Sequence, residues 1–266
     1  MFSDEVRAAA RTAPASLRPL GSLPETSPNS IKVTDMTTPL LGILELERGT
    51  MKSTPLPGGL TNPSTFSVPL ILETVDGAWA DRVIAGDPAL EPAYIAAAKR
   101  LVERGATAIT ANCGFAIRHQ SAVAAAVDVP VVMSSLLMLP MLLRQLPPQS
   151  KLAVLTADST KCDDDVLGLH GSPERDRVVV AGIEGGTLLR NEMVRPPIPT
   201  TFAEIEEDVR GAVARLLRDV PDVSMMLFEC TAFPLVTDAI RKSTEVPIYD
   251  VVDLCRLTLA SVSKLQ

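Results

Sequence analysis

The sequence predicts an α/β protein of two pseudo-symmetric lobes, each a parallel sheet flanked by helices, with an active site in the cleft between them. Three observations carry this prediction. Short apolar runs alternate with helical patterns along the chain. Most of those runs are continuously apolar, as strands covered on both faces are. One unit also occurs twice: a strand, a cysteine at its end, a helix, then Val-Pro and a second strand. Pro130 follows Cys113 by 17 residues, and Pro247 follows Cys230 by 17 residues.

The elements follow in order. Residues 1–35 end in a Pro/Ser-rich stretch and are expected to be a flexible extension. The first lobe is expected over 36–150. LLGILEL (40–46) reads as a buried strand, and the Gly-, Pro- and Asn-rich stretch 48–66 as a long loop. VPLILETV (68–75) is the next strand. Residues 86–105 supply an acidic, Pro-bearing start, an Ala-rich helix and Gly105 as its stop. ATAITA (106–111) is a strand leading to Asn112, Cys113 and Gly114. Residues 115–127 read as a helix, 129–133 as a strand and 134–146 as a helix.

The second lobe is expected over 151–250. KLAVLTA (151–157) is its first strand, residues 158–171 a helix, and 177–186 a strand and turn. Thr201 and Glu204 form a capping-box pattern ahead of an amphipathic helix reaching Val220. VSMMLFE (223–229) runs into Cys230, a helix spans 233–243 and a strand 246–251. The closing helix, 251–266, is expected to pack on the first lobe.

Composition excludes several functions. The net charge is −7 with no run of Lys or Arg, so a nucleic-acid surface is not expected. Aromatics make up 3%, too few for stacking platforms. No apolar stretch is long enough to span a bilayer, and the start lacks the apolar core of a secretory signal. Reduced thiols in a cytoplasmic protein are the simpler expectation. Four cysteines without a C-x-x-C pair and two histidines give no recognisable zinc pattern. The AGIEGG turn lacks the G-x-G-x-x-G spacing of a dinucleotide loop.

Chemistry concentrates on Cys113 and Cys230. Ligands bind at the carboxyl ends of parallel strands, where both cysteines fall. A helix start lowers a thiol pKa, so a thiolate at neutral pH is expected. One thiolate can remove a proton from carbon while the opposite thiol returns one to the other face, inverting a stereocentre without a cofactor. Cys162 and Cys255 fall inside predicted helices and read as packing residues. Asn62, Ser64 and Thr65 lie in the long loop, where turn chemistry accounts for each as well as ligand binding does. Ser134 and Ser135 follow a strand and suit either a helix cap or a carboxylate. Thr156 ends a strand and Thr231 follows Cys230. Glu45, Glu47 and Glu229 lie near strand ends, where one could tune a thiol. His119, six residues after Cys113, reads as a surface or packing residue.

NCGF around Cys113, ECT around Cys230, the loop Gly-Gly-x-x-Asn-Pro-x-Thr at 58–65 and Pro-Val-Val-x-Ser-Ser-Leu-Leu at 130–137 resemble the aspartate/glutamate/hydantoin racemase superfamily. The resemblance runs from about Pro39 to the C-terminus. It implies two-lobed parallel sheets, no cofactor, and acid/base catalysis by Cys113 and Cys230. A small carboxylate or hydantoin substrate is expected, with Asn62, Thr65, Gly114, Ser134, Ser135, Thr156 and Thr231 as the candidate residues to hold it. Self-association as a homodimer or larger homo-oligomer is common in the superfamily, though no segment specifies an interface. Aspartate and glutamate racemases usually place Asn-Thr after the first cysteine; here Gly114 and Phe115 follow it, and Ala232 and Phe233 follow Thr231. Both changes make the site less polar.

The leading expectation is a racemase or epimerase of an amino acid or hydantoin-type compound. A related cysteine-dependent decarboxylase or maleate-type isomerase is the alternative. A non-catalytic small-molecule binding protein on the same lobes is the alternative of another class.

Overall fold

The computed structural model describes residues 38–50 and 54–263. The expected N-terminal extension, residues 1–35, lies outside them. Seventeen regular elements alternate along the described chain. The first half contains β1 (Leu41–Glu45), β2 (Leu70–Thr74), α1 (Ala80–Ala85), α2 (Glu91–Glu103), β3 (Ala108–Ala111), α3 (Gln120–Ala124), β4 (Val131–Val132) and α4 (Leu139–Gln145). The second contains β5 (Lys151–Thr156), α5 (Asp164–Leu167), β6 (Val178–Gly182), α6 (Thr187–Glu192), α7 (Phe202–Asp219), β7 (Val223–Phe228), α8 (Pro234–Arg241), β8 (Ile248–Tyr249) and α9 (Val251–Val262).

Two four-stranded parallel sheets result, in the orders β2-β1-β3-β4 and β6-β5-β7-β8. The orders are equivalent, and the repeat extends to individual hydrogen bonds. The Ile109 N–H donates to the Pro130 carbonyl at 2.9 Å, and the Met226 N–H to the Pro247 carbonyl at 2.8 Å. The Asn112 N–H donates to Leu44 at 2.9 Å, and the Glu229 N–H to Leu155 at 2.8 Å. The residue before each cysteine is thus tied to the end of its sheet's central strand. Both cysteines are fixed at matching strand ends.

The strands are apolar on both faces because helices cover both. Leu152, Val154 and Leu227 join one core cluster with Leu139, Leu142 and Leu143 of α4, while Ala153, Leu155 and Phe228 join another with Val209, Val213 and Val236. Each half sends its closing helix across. α9 buries Val251, Val252, Cys255 and Leu259 against Leu41, Ile43 and Ala108 of the first sheet. The segment entering α4 is tied to the second sheet by the Ser135 hydroxyl, which donates to the Phe228 carbonyl at 2.8 Å. Burying a Leu or Val fully is worth about 1.5–3 kcal/mol, so the exchanged helices hold the two halves together. The sequence reading left 134–146 wholly with the first lobe because its contacts are distant in the chain.

Three local readings differ from what forms. The segment after Cys113 begins as a 3-10 turn, Gly114–His119, and only Gln120–Ala124 is α-helical. The helix expected over 158–171 shrinks to α5, closed by Gly168 at φ +66°. Two short helices, α1 and α6, were not expected; neither has a side-chain N-cap hydrogen bond to announce it. The capping box of α7 forms with Thr201 and Glu204. Among the described residues, no helix is long and apolar enough to cross a membrane.

Candidate active site

Cys113 follows β3 and Cys230 follows β7, and both line one cavity of about 500 Å³, part of it open to solvent. Asn112, Gly114, Phe115, Glu229, Thr231 and Ala232 line it beside them. Much of the remaining wall comes from two short helices that the sequence did not mark, with Ala157 after β5 beside them. Ala80 and Ile84 come from α1, Leu188, Leu189 and Glu192 from α6, and Leu46 and Arg48 from the chain after β1. The Arg48 guanidinium meets the Glu192 carboxylate at 3.1 Å, bridging the two halves at this wall. Asp81 and Arg195 make a second bridge, at 2.9 Å, and Arg195 lies 5.3 Å over the Trp79 ring.

Glu229 is the buried charge of the site. Its side chain is fully enclosed (0% exposed), and its Oε2 accepts a hydrogen bond from the Thr156 hydroxyl at 2.7 Å. Oε1 has no hydrogen-bond partner among the described residues. Burial pushes the carboxyl up to about 7, and the Thr156 bond only partly offsets this. Gly114 is packed against it: a Cβ at 114 would lie 2.7 Å from the Glu229 Cδ. The glycine that departs from the racemase pattern is therefore required by its neighbour.

The thiols correct one expectation. Burial pushes Cys113 up to about 12, and the nearby Glu229 adds to the rise. The backbone N–H groups of Phe115 and Ala116 pull the other way, and lose. Cys230 is raised well above its ordinary value by burial and then by Glu229, against the N–H of Ala232. The sequence places both cysteines at helix starts; each instead opens a turn, and desolvation outweighs the one or two N–H dipoles found there. Each thiol is held protonated at neutral pH.

The other expected site residues divide clearly. Gly114 and Thr231 line the cavity with the cysteines. The Thr231 hydroxyl donates to the Asn112 carbonyl, joining the two cysteine segments. Thr156 acts one step behind, through Glu229. Asn62 and Thr65 are not brought to the cavity. Asn62 Oδ1 accepts from the Ser64 N–H at 2.9 Å and its amide donates to Pro55, while Thr65 donates to Gly59 at 2.6 Å. Their polar atoms close their own loop. Ser134 caps the turn after β4, accepting from the Leu136 N–H, and Ser135 is engaged by Phe228. Both are buried away from the cavity wall. His119 is buried and stacked on Tyr94 at 4.7 Å, and Cys162 and Cys255 are buried in the core. Glu229, which the sequence offers only as a residue that could tune a thiol, is part of the wall; Arg48 and Glu192 carry no sequence signal beyond their charge.

The arrangement matches solved structures over most of its length. Glutamate racemase from Francisella tularensis, in complex with D-glutamate, aligns over 86% of this chain and 84% of its own, with a TM-score of 0.52 at 15% identity. The fold is that of the glutamate racemases. A glutamate racemase of Bacillus anthracis gives a TM-score of 0.51 over 85% of this chain and 80% of its own, at 15% identity. A glycine-to-cysteine variant of arylmalonate decarboxylase, in a sulfate-associated form, gives 0.50 over 85% and 93%, at 16% identity. This is the fold expected from the sequence resemblance.

The relatives found by sequence carry a different name. Dimethylsulfoniopropionate lyase of Durusdinium sp. clade D is 27% identical over 203 residues, 74% of this chain and 67% of that protein. Dimethylsulfoniopropionate lyase 7 of Emiliania huxleyi is 27% identical over 233 residues, 84% of this chain and 67% of that protein. Lyase 3 of the same organism is 26% identical, and the match covers 60% of its length. The chain thus spans about two thirds or less of these relatives. No family model matches the chain.

Proposed function

We propose that this chain is a cysteine-dependent lyase acting on a short carboxylate with a sulfonium group β to the carboxyl, dimethylsulfoniopropionate being the candidate. The observation that carries this reading is the cavity itself. Two thiols and a buried carboxyl converge there, and its wall offers one cation and one anion, Arg48 and Glu192, among Leu and Ile side chains. That complement suits a small zwitterion with apolar methyl groups. The names of the relatives support the same substrate.

The chemistry follows from the substrate's bonds. A cysteine removes a proton from the carbon next to the carboxylate. The electron pair left behind forms a carbon–carbon double bond, and the β carbon–sulfur bond breaks. Dimethyl sulfide departs as a neutral molecule, so its exit needs no acid, and acrylate remains. Arg48 is assigned to the substrate carboxylate, where a cation also stabilises the charge that develops on proton removal. Glu192 is assigned to the sulfonium.

Racemisation is the second reading, favoured by the fold and by the matched cysteines at both strand ends. It shares the first step, loss of a proton next to a carboxylate, and differs in the fate of the electron pair. A lyase of this kind is nearer to the decarboxylase alternative, which also leaves charge on that carbon.

Headspace gas chromatography for dimethyl sulfide, run beside deuterium exchange of aspartate and glutamate in heavy water, separates the readings. Dimethyl sulfide release that is lost in Cys113→Ala or Cys230→Ala supports the lyase. Exchange at a stereocentre that both variants abolish, with no dimethyl sulfide, supports the racemase. Ligand binding without turnover, unchanged in both variants, returns the chain to a binding protein.

A further inference from the structure

Glu229 stands apart from every other carboxylate in the described chain. It is fully buried, one oxygen is engaged by Thr156 at 2.7 Å, and the other has no partner. It lines the same cavity as Cys113 and Cys230, and the Gly114 backbone is pressed against it. A half-satisfied carboxyl enclosed beside two thiols is a poor structural device, because an apolar side chain would fill that space without leaving an unpaired oxygen. Such groups mark sites where protons move.

The thiols pose the problem that Glu229 solves. Each is held protonated, so a free thiolate is scarce at neutral pH. A thiol can still take a proton from carbon if its own proton leaves in the same step. We propose that Glu229 is the proton acceptor of the cleft: its free oxygen, which neither thiol hydrogen-bonds directly, receives the S–H proton of a cleft cysteine through one bridging water as that sulfur takes the proton from the substrate carbon. The carbon loses one proton, the cysteine ends as it began, and the carboxylate becomes a carboxylic acid. It then loses its proton to solvent, which completes the balance for conversion of a zwitterion into acrylate, dimethyl sulfide and a proton.

A base works best with a pKa near the working pH, and Glu229 meets this condition where the thiols do not. The charged and titratable groups around it are the thiols of Cys113, Cys162 and Cys230, which feel its charge, and Arg48 and Glu192 on the cavity wall. The inference rests on the reading that a cysteine deprotonates carbon. It goes beyond that reading by naming where the proton goes.

Two competing roles predict different outcomes for Glu229→Gln. If Glu229 were only a like charge that raises the thiols, the variant would match or exceed the native protein. A purely structural role would lower activity equally at all pH values. The proposal predicts a loss in kcat/KM for dimethyl sulfide release of about 100-fold or more at pH 7, shrinking steadily towards pH 10 as the thiol ionises unaided. An unchanged, raised or pH-independent rate overturns it. Should Glu229→Gln fail to fold, Thr156→Val keeps the carboxyl but removes the bond that favours its charge. The rising limb of the pH profile should then move to higher pH, and an unmoved limb overturns the proposal.

Infrared titration of the native protein against Glu229→Gln, or against Thr156→Val, is independent of substrate. The carbonyl band of a protonated acid should disappear as pH rises through neutrality, and its absence overturns the proposal. Where the native protein releases no dimethyl sulfide, the substrate reading fails, and the pH profile of deuterium exchange at aspartate or glutamate takes its place. Without exchange either, the proposal falls too.

Discussion

Gly114 and Glu229 occupy each other's space: a Cβ on Gly114 would lie 2.7 Å from the Glu229 carboxyl carbon. This contact joins the residue after one cysteine to the residue before the other. It makes the two strand ends a single unit and holds a charged group where only a hydrogen atom fits between them.

Gly114→Ala should therefore cost about 1–3 kcal/mol, since the added methyl meets the Glu229 backbone as well as its side chain. Backbone cannot swing aside, so Glu229→Ala should restore only part of the loss. Thermal melting of the two single variants and the double variant measures this; full recovery in the double variant would contradict the geometry.

Glu229 should also tie stability to pH. Its carboxyl is raised in the folded state from 4.5 to about 7. The folded protein holds this proton more tightly than the unfolded chain does. The associated stability is complete below pH 4.5 and is lost as pH rises through about 7. The gap corresponds to about 3 kcal/mol. Urea unfolding at pH 4.5 and pH 8 should show native stability falling relative to Glu229→Gln by that order, and parallel behaviour of the two proteins would exclude it.

Arg48→Ala should weaken substrate binding far more than it weakens the fold. The Arg48–Glu192 pair is partly exposed, at 27% and 24%, and such pairs add about 0–1 kcal/mol. Loss of the cation should raise KM for a carboxylate substrate about tenfold or more. Steady-state kinetics beside a melting curve checks both halves, and an unchanged KM would remove Arg48 from the carboxylate site.

Cys255→Ala should separate core from cleft. Cys255 is fully buried against the first sheet and does not line the cavity. Stability should fall by about 1 kcal/mol while turnover is kept. A loss of turnover at native stability would show that α9 reaches the site.

Most of the fold was legible because it depends on local patterns. Continuous apolar runs mark strands covered on both faces, and the fixed spacing from cysteine to proline marks the repeat. The equivalent sheet orders and paired hydrogen bonds bear out those patterns. Short elements were harder. α1 and α6 have six residues each, too few to show a helical period, yet they supply much of the cavity wall.

The duplicated α/β frame and the placement of Cys113 and Cys230 at matching strand ends follow from sequence patterns. What surrounds them follows from contacts between distant parts of the chain. Asn62 and Thr65 look like loop ligands in sequence, but their polar atoms are used up within the loop. Arg48 and Glu192 are 144 residues apart and meet across the cleft. The thiol environment was also beyond the sequence: a helix start lowers a thiol locally, whereas desolvation depends on everything packed around it, and here it dominates. Periodicity is set by near neighbours along the chain. Burial and charge are set by neighbours in space, which is why the sequence shows the two cysteines while the carboxyl that lines their cavity is legible only in the folded protein.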